Sequence, residues 1–130
     1  MQYTAEEVLD FLEEEDVRFV RLAFCDIFGT SKNISIPPAA LKSAFSNGAS
    51  FDASAVPGFA DVSRSDLFLY PDPSTLALFP WRPSNGRVVR MFCDIRYPDG
   101  RPFELDSRQI LKSAAADVRA LGLRCGIGTE

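Results

Sequence analysis

The chain has 130 residues, 46% of them hydrophobic and eleven of them Phe, enough for one domain with a real core or for one domain and the start of another. A domain of this size buries roughly two-thirds of the surface that its unfolded chain exposes. A formal charge of −4 with no basic cluster argues against nucleic acid as a partner, because neutralising phosphates requires a positive patch.

The first predicted element is a helix over residues 4–15. Thr4-Ala5-Glu6-Glu7 is a capping box, Val8, Leu9, Phe11 and Leu12 form an apolar stripe, and the run Glu13-Glu14-Glu15-Asp16 opposes the helix dipole and stops it. That acidic run is read as a solvated face. Residues 17–26 mix alternation with β-branched and aromatic side chains and predict a strand. A turn at Asp26-Ile27-Phe28-Gly29 and a returning strand over 31–36 complete a hairpin. Pro37-Pro38 ends it, and Pro38 opens a second helix through Asn47, with Gly48 as its stop. Residues 67–70, 75–79 and 88–95 are further strands, separated by the turn clusters Pro71-Asp72-Pro73-Ser74 and Pro83-Ser84-Asn85-Gly86. The expected fold is α+β, a small mixed sheet crossed by a helix.

After Phe103 the pattern changes. Asp106 or Ser107 caps a predicted helix reaching about Leu121, with Gly122 as its stop, and residues 123–128 read as the opening of another strand. A domain rarely ends on the first strand of a new sheet. The expected division is therefore a domain over residues 1–104 and the truncated start of a second over 105–130.

Histidine is absent, which removes Ser-His-Asp and Cys-His chemistry and imidazole zinc ligands from this chain. Cys25, Cys93 and Cys125 are odd in number and far apart, which fits reduced thiols in a cytoplasmic protein. No apolar run approaches the ~20 residues of a membrane span. The opening residues lack the basic-then-apolar order of a signal peptide.

Residues 51–59, Phe-Asp-Ala-Ser-Ala-Val-Pro-Gly-Phe, set one acid among small neighbours between two phenylalanines. That pattern suits a loop presenting a carboxylate to a partner. Together with Ser65-Asp66-Leu67-Phe68-Leu69-Tyr70-Pro71-Asp72-Pro73, Pro80-Trp81, Cys93-Asp94-Ile95, Pro98-Asp99-Gly100-Arg101-Pro102-Phe103 and Asp106-Ser107-Arg108, it resembles the amino-terminal domain of the glutamine synthetase family. The resemblance covers nearly the whole chain.

It implies a β-grasp sheet, a larger catalytic domain to follow, and subunits assembled as a homo-oligomeric ring. It also implies a parent reaction in which ATP, with Mg or Mn, activates glutamate for attack by ammonia or another amine. The loop at 51–59 would reach the neighbouring subunit's active site. Asp52 matches the family carboxylate that binds ammonium and takes its proton; otherwise it caps a turn. Phe59 stands where many bacterial members carry a tryptophan beside the nucleotide; otherwise it is a core anchor. Glu130 matches the first acid of the family's Glu-x-Glu metal motif. The family commonly has Asp-Gly-Ser-Ser where this chain has Asp52-Ala53-Ser54-Ala55, so one supporting hydroxyl is missing. Some family members join glutamate to larger amines. Asp66 and Asp72 read as turn chemistry, Asp99 as a hairpin signal, Asp94 as structural, and Trp81 as a core or subunit-contact aromatic. The fragment alone is expected to be inactive and to bind no cofactor. The alternative is a stand-alone, non-enzymatic β-grasp interaction module using the same loop.

Overall fold

The structure, a computed structural model, describes residues 3–59, 65–81 and 86–129. In chain order its elements are α1 (Ala5–Glu14), β1 (Val17–Cys25), β2 (Ser31–Ile36), α2 (Leu41–Asn47), β3 (Ala49–Asp52), β4 (Asp66–Pro71), β5 (Ala77–Leu78), β6 (Arg87–Arg96) and α3 (Ser107–Ala120). The strands form one mixed sheet in the order β2-β1-β6-β4-β3. β1 and β6 run parallel at its centre, with Val20 beside Val89 and Leu22 beside Met91. The other pairings are antiparallel. β5 and β4 share the remaining edge of β6, β5 along its first half and β4 along its second.

Alternation decides which face is buried. Val20, Leu22 and Phe24 of β1, Val89, Met91, Cys93 and Ile95 of β6, and Leu67 and Leu69 of β4 form one apolar surface. Val8 and Leu12 of α1 and Leu41 and Ala44 of α2 cover it, so the crossing helix and the capped first helix close the core from the same side. The fold is the expected α+β, a small β-grasp-like mixed sheet with a crossing helix.

The capping box of α1 is present: the Glu7 amide donates to Thr4 Oγ1 at 3.2 Å, and the Thr4 amide donates to Glu7 Oε2 at 2.7 Å. The helix predicted over 38–47 is in two pieces. Pro37 supplies no side-chain cap, so Pro38–Ala40 winds as a tighter 3₁₀ turn before α2 begins. α2 stops at Gly48, whose φ of +74° places it where an added Cβ would lie 2.8 Å from the Tyr70 ring.

Three expectations are corrected. Phe51 and Asp52, expected in the loop over 51–59, instead close a strand, β3, paired with β4. The strand predicted over 75–79 shrinks to Ala77–Leu78, because Asp72 caps a 3₁₀ turn over Pro73–Thr75 and draws Thr75 out of the ladder. Thr75 Oγ1 then accepts from the Phe92 amide at 2.8 Å, tying that turn to β6 by a side chain. Residues 123–128 form no strand: a strand requires a partner edge, and none among the described residues pairs with them. No helix among the described residues is long and apolar enough to cross a membrane.

Candidate functional site

β3 ends at Asp52, and the chain turns at once through a 3₁₀ segment, Ala53–Ala55. Asp52 Oδ1 sets that turn by accepting from the Ser54 amide at 2.9 Å and the Ser54 hydroxyl at 2.6 Å. The backbone is fixed further by Ala53 N–H donating to Ser65 O at 2.7 Å, and by bonds from Val56 to Ala53 and from Phe59 to Val56. Ala53, Val56 and Phe59 are buried, while Asp52, Ala55, Pro57 and Gly58 are exposed. The segment is a pinned loop that holds its carboxylate outside the core.

Three aromatic contacts anchor its ends. The Phe24 ring, at the end of β1, lies 5.0 Å from Phe51 and 6.1 Å from Phe59, and Phe59 makes an edge contact with Phe103 at 5.0 Å. Phe59 is 5% exposed. In this chain its ring packs between Phe24 and Phe103 as part of the core.

The β3–β4 register places Asp66 directly opposite Asp52. Like charges facing each other across a ladder repel, so this end of the sheet favours a cationic group. Among the described residues no Lys or Arg pairs with either acid. Glu130 lies outside the described residues. Among those described, no group of three or more Cys, Asp or Glu is placed to hold a metal ion.

Asp99 and Asp72 each set a turn. Asp99 caps its turn, accepting from the Arg101 amide at 3.0 Å and from Arg101 Nε at 2.7 Å. Asp72 accepts from the Ser74 amide at 3.0 Å and the Ser74 hydroxyl at 2.6 Å. Burial pushes the Asp72 carboxyl up, but the Ser74 bonds and the charges of Arg108 and Lys112 outweigh it and hold the group below its ordinary value. Trp81 is not a core residue: it stacks on Phe79 at 4.7 Å and is 69% exposed.

A second polar cluster was not read from the sequence. Arg108, at the start of α3, bridges Asp72 and Asp94, donating to Asp94 Oδ1 from Nε at 2.9 Å, and Lys112 reaches both Asp94 oxygens at 2.7 and 2.6 Å. Beneath it Asp106 is 1% exposed, accepting from the Ile95 amide and from the Arg108 amide, each at 3.0 Å. The cluster fixes the entry of α3 onto the sheet. The bonded pairs are up to 36 positions apart, so local pattern gave no sign of it beyond the Asp106 cap.

Comparison with known proteins agrees with this architecture. The family described as glutamine synthetase, beta-Grasp domain, matches residues 16–98. The glutamine synthetase of Clostridium saccharobutylicum is 43% identical over 129 residues, covering 99% of this chain and 29% of that protein. The glutamine synthetase of Mycolicibacterium smegmatis is 46% identical over 132 residues, covering 100% and 30%. The chain thus spans about 30% of the length of the curated relatives it matches. Among solved structures, a GmaS/ADP complex superposes with a TM-score of 0.78 at 28% identity over 93% of this chain and 26% of that one. Plasmodium falciparum glutamine synthetase superposes at 0.82 over 94% and 24%; at 24% identity this likeness concerns the fold alone. On its sequence, with a sheet and crossing helix to match, the chain belongs to the glutamine synthetase β-grasp domain family.

Proposed function

We propose that this chain is the amino-terminal β-grasp domain, with the first helix of the catalytic domain, of an ATP-dependent glutamate–amine ligase. Its part is to supply Asp52 to the active site of a neighbouring subunit in a homo-oligomeric ring. The observation that carries this is the exposed Asp52 carboxylate on a loop whose backbone is locked by buried Ala53, Val56 and Phe59. A pinned acid facing outward beside Asp66 suits an ammonium or alkylammonium group, which must lose a proton before its nitrogen can attack.

The division at about residue 104 is supported by burial. Phe103 is the last buried apolar side chain, whereas α3 has no buried residue and exposes Ile110 and Leu111. Nucleotide and divalent cation are assigned to the remainder of the parent, with Glu130 as one candidate ligand on this chain. Ala55 lacks the hydroxyl that the family commonly carries there, so the acceptor is assigned only as ammonia or another amine.

The test is Asp52→Asn in the full-length parent, which keeps the loop's shape and removes charge and basicity. Amide synthesis should slow by about 10²–10⁴-fold, the usual contribution of a positioned base. Because the loop acts in trans, rings mixing Asp52→Asn subunits with subunits inactivated in the catalytic domain should recover part of the activity. Wild-type turnover in the single variant would leave Asp52 a turn cap, and verified mixed rings without recovery would refute the shared site.

A further inference from the structure

The turn joining β1 to β2 is rigid. Buried Asp26 accepts from the Phe28 amide at 2.9 Å and the Thr30 amide at 2.8 Å, and the Asp26 amide donates to Thr30 O at 3.1 Å. This turn projects Ile27 against the loop that carries Asp52. A Cβ built on Gly58 would meet Ile27 Cδ1 at 2.4 Å, Cγ1 at 3.2 Å and Cγ2 at 3.6 Å, so the whole Ile27 side chain lies over the Gly58 backbone. Gly58 has φ +82°, a conformation that other residues adopt only under strain. Next to it Phe59 is held by Phe24, the residue two before Asp26. One hairpin therefore grips the loop at its far end in two places, through Phe24 inside the core and Ile27 at its surface.

We propose that Ile27 is a positioning residue for Asp52: it seats on Gly58 and fixes where the loop holds its carboxylate. The inference rests on the role proposed above for Asp52. Ile27 is 46% exposed, so its packing adds little to the core, and its placement on a glycine with a left-handed backbone is what gives it leverage on the loop. Losing Ile27 loosens the Gly58 end while Phe59 stays held by Phe24 and Phe103, so the expected shift of the carboxylate is small; a displacement of ~1 Å from reacting groups can still cost roughly 100-fold in rate.

The experiment uses the full-length parent with Ile27→Ala, Ile27→Val, Gly58→Ala, the Ile27→Ala/Gly58→Ala pair, and Asp52→Asn as reference. Ile27→Ala should lower kcat/KM for the amine by about 10-fold or more, with KM for ATP and for glutamate within about twofold of wild type. Ile27→Val keeps both Cγ contacts and should stay near wild type. Gly58→Ala should lower the same amine parameter, and the double variant should lose less than the product of the two single losses, because both break one contact. If Ile27→Ala leaves amine kinetics unchanged while Asp52→Asn is impaired, the positioning role falls and the base survives. If all three KM values and the folded fraction move together, Ile27 is a stability contact only, and the inference is overturned. Wild-type turnover in Asp52→Asn overturns both.

Discussion

Replacing Asp106 with alanine tests how the sheet holds the start of α3. Its two carboxylate oxygens serve two backbone amides, Arg108 in the first turn of the helix and Ile95 in β6, and the residue is 1% exposed. Loss of the helix cap costs about 1 kcal/mol. Leaving the buried Ile95 amide without an acceptor costs a further ~1–3 kcal/mol. Together these give a destabilisation of about 3 kcal/mol. With a urea m value of about 1.5 kcal/mol/M, the unfolding midpoint of the 130-residue chain should fall by about 2 M. Asp106→Asn retains an oxygen for Arg108 and faces Ile95 with a donor or nothing, so it should lose roughly half as much. Burial raises the Asp106 pKa, against the opposing bonds from Ile95 and Arg108. A raised pKa means the folded state binds the proton more readily. The contribution is then fully present below the unfolded value of about 4 and declines as pH rises through the folded one. The deficit of Asp106→Ala should accordingly narrow from acid to neutral pH. Urea melts followed by circular dichroism at several pH values measure both effects. A midpoint within about 0.3 M of wild type would refute the two-amide account.

Asp72 has the opposite sign: its folded pKa is depressed, so its contribution is present above the unfolded value of about 4 and lost as pH falls through the folded one. The stability gap between wild type and Asp72→Asn should therefore be open at pH 6 and closed in strong acid, as urea melts at the two extremes would show. For the thiols, Cys93 is buried, and burial together with neighbouring Asp94 pushes it well above its ordinary pKa, while Cys125 is exposed. Iodoacetamide followed by mass spectrometry should label Cys125 first, and Cys93 only as the chain unfolds.

Much of the fold was legible because its signals are local. The Thr4–Glu7 box, the hairpin turn at Asp26, the Gly48 stop and the Asp106 cap each sit within four residues of what they organise. β3 was missed because Phe51 and Asp52 read as loop and the small Ala49 and Ser50 carry no strand signal of their own; only pairing with β4 makes the four a strand. Residues 123–128 erred the other way, carrying strand-like composition with no edge to join among the described residues. In the site, Asp52 and its small neighbours were visible; the packing of Phe59 against Phe24 and Phe103 was not, because it joins residues 35 and 44 positions away. The Ile27–Gly58 contact and the Arg108 cluster depend on such distant pairings as well.

The parallel seam between β1 and β6 governs when this domain can form at all. Its strands lie roughly 70 positions apart, so the centre of the sheet is the last part to be made. At about 5–20 residues per second, a newly synthesised β1 waits several seconds for its inner partner. Until then the hairpin Val17–Ile36 stands with one bare edge, and that edge belongs to the apolar run Val-Arg-Phe-Val-Arg-Leu-Ala-Phe-Cys. Unpaired apolar edges recruit other chains. Substitutions that slow the docking of β6 should therefore lower the yield of folded protein in the cell through aggregation, even where the finished domain melts at an unchanged temperature.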